Sequence, residues 1–413
     1  MLQTAKTEET AHRYRWVILG VLWSAYVVVF LHRLSIAPLA PFFKEEMGLT
    51  NTQVGALMSA ASLGYMLSLI PAGWATDRLG IRRLLIIGEL VGGIFIMGMF
   101  LVPSYRSALL IMAMAGFGCG CLMPVSTKGV VVWFPARERA TVMGLKQTAF
   151  NIGGVITAAT LPAVALTLGW RYGFLFLGLL AIAIGVGSFI LYRDPPATTS
   201  APAAANVSNG EMTRGRALRQ LFRAREMWLL AVAAFCLMLL EFAVVAHLVL
   251  YLTETQSFPR IAAGMLLALT EVGGALGKPL SGLFSDRLFA GSRKPVYILW
   301  SGGALLMSLV LTLWGADLSW TLYPVLFLMG VAGLGWGGIN LTLISEMAGK
   351  DLAGIASSVV VTIMMAGVTL GPIVFGYIVD ETGSYQLGWL FCAAAATISV
   401  VALLFVREER RRI

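Results

Sequence analysis

Twelve apolar runs of about 20 residues or more dominate the chain, at 15–42, 52–75, 83–101, 107–133, 140–167, 171–192, 227–253, 259–284, 295–315, 320–345, 353–379 and 386–406. An α-helix of that length crosses the hydrocarbon core of a bilayer while satisfying its own backbone hydrogen bonds, which lipid cannot do for it. Composition closes the alternatives: with 58% hydrophobic and 12% charged residues, 413 residues cannot make a soluble globular surface. The chain reads as an all-α integral membrane protein.

The formal charge of +9 would point to nucleic acid in a soluble chain, but its distribution here has another cause. With the N-terminus placed in the cytoplasm, about 22 of the 30 Lys and Arg fall in or at the edges of the N-terminal tail, the even-to-odd loops and the C-terminal tail. Lys44, Arg106, Arg171 and Arg260 face outside. This positive-inside bias predicts a multi-pass plasma-membrane protein, as in a bacterial inner membrane, with both termini cytoplasmic and no nucleic-acid partner. The first run is too long for a signal-peptide core and has no small-residue cleavage site ahead of a soluble domain, so it is expected to be retained. Cys119, Cys121, Cys236 and Cys392 all fall within predicted helices and suggest neither a disulfide framework nor a metal site.

The chain also repeats itself. Gly73-Trp-Ala-Thr-Asp77-Arg78-Leu-Gly80-Ile-Arg82-Arg83 lies between two apolar runs and returns, degraded, as Gly282-Leu-Phe-Ser-Asp286-Arg287 followed by Arg293 and Lys294. Asp77 and Asp286 stand 209 residues apart, about half the chain, so duplication into two six-helix halves is the natural reading. The predicted domains are a six-helix bundle over 1–192, a cytoplasmic linker over 193–226 that turns basic at Arg214, Arg216, Arg219, Arg223 and Arg225, and a second bundle over 227–413. This loop resembles the signature of the major facilitator superfamily, where it joins the second and third helices, although Ile81 replaces a usual basic residue. The resemblance implies that fold, two pseudo-symmetric six-helix bundles, with the loop acting as a conformational latch. Physically, Asp77 can cap a helix N-terminus and the basic residues can pair with helix C-terminal carbonyls.

Four basic residues fall well inside predicted spans, more than a residue or two from either end: Arg33, Lys128, Lys146 and Lys278. A cation within the membrane is costly unless it faces water or a partner, and such residues mark substrate or ion paths. Trp23, Tyr26, Phe30 and Arg33 share one helical face, an aromatic stripe with one guanidinium; the rival reading lets Arg33 snorkel to the outer interface. Lys128 adds a second positive charge, and Glu89 is the one acid within a span of this half, so an anionic substrate would complete the set unless Lys128 and Glu89 pair. Lys146 lies near the cytoplasmic end of its span and is expected to snorkel. Gln147, Asn151 and Asn340 are candidate hydrogen-bond partners for substrate, or else for other helices.

At these positions the chain is similar to the anion:cation symporter branch of the superfamily, which carries hexuronates, galactonate and related organic anions. The similarity lies in His32-Arg33-Leu-Ser35-Ile-Ala37-Pro38 and in Pro124…Lys128…Trp133-Phe134-Pro135-Ala-Arg137-Glu138-Arg139. It implies that Arg33 and Lys128 hold a substrate carboxylate, joined by Tyr65. His32 stands where that branch commonly has Asp, so the coupling ion, expected to be a proton, needs another carrier: His32 itself, His247, Glu241 or Glu271. Lys278 lies seven residues beyond Glu271, which makes a static ion pair the alternative for that acid.

No enzyme constellation, metal pattern or P-loop is present, so neither catalysis nor a bound cofactor is expected, and gradients would drive transport. The reading is a secondary transporter for a small organic anion such as a carboxylate or sugar acid, monomeric, working by alternating access of two halves around a midplane site. Its rivals are an inorganic-anion or phosphate-ester exchanger and a proton-driven drug exporter.

Overall fold

The structure is a computed structural model that describes residues 2–193, 224–314, 320–348 and 353–407. It contains twelve helical segments long and apolar enough to span a membrane, from Tyr14–Met47 to Tyr385–Phe405, and no strand among the described residues. Residues 194–223, which hold most of the expected linker and its basic stretch up to Arg223, lie outside the described set.

The elements are α1 Leu2–Leu34, α2 Ile36–Met47, α3 Asn51–Leu79, α4 Ile81–Gly98, α5 Tyr105–Gly120, α6 Leu122–Trp133, α7 Ala136–Gln147, α8 Ala149–Thr167, α9 Trp170–Leu191, α10 Arg225–Glu254, α11 Arg260–Leu288, α12 Lys294–Trp314, α13 Leu322–Met329, α14 Gly337–Ala348, α15 Ala353–Thr382 and α16 Tyr385–Phe405. There are more helices than spans because several spans break, and the breaks have local causes. Pro38 has no N–H to offer the carbonyl four residues back, and the ladder parts between α1 and α2 at Ser35, whose Oγ donates to the His32 carbonyl at 2.8 Å. Pro124 does the same to the fourth span, which parts between α5 and α6 at Cys121. The tenth span loosens into a π-turn over Gly330–Leu334 between α13 and α14.

The described residues form two compact units, one within 1–47 and 60–203 and the other within 48–59 and 204–413. In the first, α4 lies along α9 and α5, and α1 along α8. Small residues set how close the helices come: a Cβ on Gly64 would collide with the Ala113 carbonyl, and one on Gly116 with that of Ala61, so α3 and α5 touch backbone to backbone. In the second unit α10 lies along α15 and α16, and Gly330 sits against the Thr270 carbonyl of α11 just as closely.

The duplication shows in the polar fastenings. Arg82 donates to the Phe189 carbonyl near the end of α9 at 2.7 Å, and Lys294 donates to the Leu404 and Val406 carbonyls at the end of α16 at 3.0 and 2.7 Å. Each closes off orphan carbonyls at a helix C-terminus with a cation. At the opposite helix ends, Glu46 accepts from Trp170 Nε1 at 2.6 Å and pairs with Arg171, while Glu254 accepts from the Tyr385 hydroxyl at 2.9 Å.

Candidate functional site

Arg33 closes the last turn of α1, immediately before the Ser35 break, and is 5% exposed. Its guanidinium lies 4.6 Å from the centroid of the Tyr65 ring and 5.9 Å from that of Phe30, and Nη2 donates to Ser62 Oγ at 3.2 Å. Tyr26, two turns earlier on the same face, meets Phe30 edge-on at 5.1 Å, and Phe30 meets Phe150 of α8 at 4.7 Å. Tyr26 and Tyr65 stand close enough to act on one another electrostatically. Arg33 therefore sits inside the first unit between aromatic faces, where desolvation strengthens cation–π attraction, instead of reaching for an interface. Trp23, the fourth member of the stripe, turns its indole N–H to Thr148 Oγ1 at 3.0 Å.

The second cation of this cluster is not the one the sequence favours. Lys128 donates to Asp77 Oδ1 at 2.6 Å, and the side chains of this pair are 40% and 74% exposed. Lys128 thus joins the C-terminal end of α3 and pairs with neither Glu89 nor an interior partner. Lys146 corrects the snorkelling expectation: it is 2% exposed, its Nζ lies 4.4 Å from the centroid of the Tyr26 ring, and it donates to Ser126 Oγ and Thr127 Oγ1, each at 3.1 Å. The reason is angular. Lys146 ends α7 on the side facing α1 and α6, and hydroxyls and a ring face meet it there before its stem can reach the surface. Gln147, its neighbour, is exposed, whereas Asn151 on α8 is buried. Glu89 is buried and accepts from Ser188 Oγ of α9 at 3.4 Å. His32 turns away from Arg33: Nδ1 lies 3.1 Å from Cys119 Sγ and Nε2 3.4 Å from the Leu177 carbonyl, partners that suit a neutral ring.

The loop itself is held by local chemistry. Gly80 has φ +80°, a conformation that favours glycine, and turns the chain from α3 into α4. Arg78 stacks over Trp74 at 3.8 Å, while Gly73 lies further back on α3 and Arg83 is exposed. Asp77 does not cap a helix but pairs with Lys128. In the degraded copy Asp286 accepts from Arg293 at 2.6 Å, Arg293 also reaches Glu346 of α14 at 3.2 Å, and Arg287 is exposed.

The second unit carries its interior charges differently. Glu241 of α10 is 5% exposed and accepts from Trp336 Nε1 at 3.1 Å. Glu271 and Lys278 share α11, and the charges of Glu241 and Glu271 both act on Lys278. His247 is fully buried, stacked on Phe375 at 4.9 Å with Nε2 2.8 Å from the Pro372 carbonyl. Asn340 is fully buried on α14, with Nδ2 3.7 Å from Met364 Sδ.

These residues can be set beside known proteins. The chain is 28% identical over 410 residues to the "Probable sulfoacetate transporter SauU" of Cupriavidus necator, covering 95% of this chain and 94% of that one. It is 27% identical over 407 residues to the "Probable L-galactonate transporter" of Escherichia coli, covering 94% and 88%. The fold matches that of a bacterial homologue of the human lysosomal transporter Spinster in an inward-facing, occupied conformation, with a TM-score of 0.78 at 18% identity over 95% of this chain and 96% of that one. The family model described as Major Facilitator Superfamily matches residues 22–372, and the chain, with its twelve spans and duplicated loop, belongs to that superfamily.

Proposed function

We propose that this protein is a secondary transporter that carries a small organic anion, a carboxylate or sugar acid, across the bilayer by alternating access, driven by a proton gradient. The observation that carries the reading is the buried guanidinium of Arg33, set between the Tyr65 and Phe30 rings and hydrogen-bonded to Ser62. A guanidinium in such surroundings offers an anion strong, directional hydrogen bonds, and the rings suit an organic body. Substrate would be held by Arg33 with Tyr26 and Tyr65, and Asn151 is a polar group for its hydroxyls. The relatives named for sulfoacetate and L-galactonate transport support an organic anion.

Proton coupling is assigned to the second unit, at Glu241 and Glu271. Both are buried beside a cation whose charge they share, so a proton on either acid changes the balance around Lys278. Lys128 works with Asp77 as part of the latch. The termini are assigned to the cytoplasm by the positive-inside bias.

The test is a thermal-shift screen of purified protein against organic anions, sugar acids, nitrate, phosphate and phosphate esters, repeated with Arg33→Ala. Ligand that binds the native state raises its melting temperature by mass action. A rise with organic anions that the variant loses supports the proposal. A rise with inorganic anions or phosphate esters alone moves the function to exchange of those, and a rise with cationic or neutral drugs alone moves it to drug export.

A further inference from the structure

Lys146 has a place in the first unit that a snorkelling residue would not have. Its Nζ is surrounded by Ser126 Oγ, Thr127 Oγ1 and the Tyr26 ring, and among the described residues no carboxylate forms an ion pair with it. Glu89, the buried acid of that unit, is turned toward Ser188 and Gly185 of α9. Two hydroxyls and a ring face are weak compensation for a desolvated ammonium.

Tyr26 ties Lys146 to the site already described. Lys146 lies over the Tyr26 ring, Tyr26 meets Phe30 edge-on at 5.1 Å, and Arg33 lies over the Phe30 and Tyr65 rings. The two cations thus stand at either end of one run of aromatic rings, and seven residues of helix, about 10 Å of rise, separate Tyr26 from Arg33. A single-headed anion at Arg33 leaves the charge of Lys146 unanswered. An anion with a second head answers Lys146 as well.

We infer that Arg33 and Lys146 anchor the two ends of one elongated subsite for a two-headed organic anion, a dicarboxylate or a sulfonate-carboxylate, with Tyr26 and Tyr65 between the heads. This rests on the proposal that the Arg33 cluster binds an organic anion, and adds the number of charges the substrate bears and the residue that reads the second. Ser126 and Thr127 are positioning residues: they hold the ammonium toward Tyr26 and are free to let it turn to a carboxylate, which replaces two neutral acceptors by a charged one.

The experiment compares the full-length protein with Lys146→Met and Lys146→Arg, using thermal shift and isothermal calorimetry. The probes are α,ω-dicarboxylates and sulfonate-carboxylates of increasing chain length, each matched to the monocarboxylate of the same length. Wild type is expected to prefer the best dianion over its monoanion by about tenfold or more, as suits a buried charge-to-charge contact. Lys146→Met should abolish that preference while leaving monoanion affinity within about twofold, and Lys146→Arg should keep it with a changed optimum length. Equal affinity for dianions and monoanions in wild type overturns the inference, as does a Lys146→Arg protein that binds monoanions but shows no preference. If Lys146→Met does not fold, the wild-type preference and the Lys146→Arg result decide. If monoanions bind and Arg33→Ala abolishes their binding while dianions gain nothing, the two-headed subsite falls and the anion site stands; if no anion binds wild type, both fall.

Discussion

The two units of this protein treat interior charge in opposite ways. In the first, Arg33 and Lys146 lie among tyrosines and hydroxyls, and Glu89 is turned to another helix. In the second, Lys278 answers to Glu241 and Glu271, and Glu241 also takes an indole N–H. An ammonium held by hydroxyls and a ring face, as Lys146 is, has its charge only weakly answered within the protein, whereas the charge of Lys278 is answered by two acids and its balance changes with their protonation. On the function proposed, the first half would hold the anion and the second the proton.

The sharpest way to break this contrast is Arg33→Ala, which should reduce anion uptake into proteoliposomes by about a hundredfold or more, in line with loss of a buried charged contact of a few kcal/mol. Wild-type uptake by that variant would remove the first unit from substrate binding. Next in size is Glu271→Gln, and in parallel Glu241→Gln. At least one of them should abolish accumulation driven by an imposed pH gradient while preserving counterflow exchange of preloaded substrate, a split that loss of anion binding would not produce. If both variants accumulate substrate normally, the proton assignment is wrong.

A smaller effect separates the two copies of the loop. Asp77→Asn leaves Lys128 without its carboxylate, whereas Asp286→Asn leaves Arg293 still paired with Glu346. Asp77→Asn should therefore slow transport several-fold at unchanged substrate affinity, and Asp286→Asn should slow it less; stopped-flow or counterflow rates with parallel binding isotherms would show it. Because the Asp77 pair is largely exposed, its direct contribution to stability is at most about 1 kcal/mol, so the melting temperature should hardly move. Smallest is the fastening at Glu46. Glu46→Gln loses a charged partner, Arg171, and weakens the acceptor for Trp170. Glu46→Gln should lower stability by roughly 0.5–1 kcal/mol, read as a melting temperature.

Much of the fold is legible along the chain because bilayer thickness imposes a length on every span and lipid forbids unpaired backbone, so hydropathy alone counts twelve. The loop that opens at Gly73 is legible too, since a glycine with φ +80° and a cation closing a helix end leave local marks in sequence. The candidate site is legible in part. Tyr26, Phe30 and Arg33 share a face by helical periodicity alone, and the structure brings that face to Tyr65. Lys128 and Lys146 could not be sorted the same way. Both lie inside spans, and position along a sequence approximates depth but says nothing of what stands beside a residue. The one available signal was Ser126-Thr127, a pair of hydroxyls next to Lys128, and it marks where Lys146 goes.

By itself, then, the sequence determined that this chain lies in a membrane, spans it twelve times, repeats after half its length and carries the loop of its superfamily. Those properties follow from hydropathy, length and short-range geometry, which act along the chain. Only the tertiary structure decided that Lys128 serves the loop and Lys146 the interior, that His32 faces a cysteine and a carbonyl, and that Lys278 stands under the influence of two acids. Electrostatic and hydrogen-bond energies depend on distances of a few ångströms between groups far apart in sequence, and folding alone sets those distances.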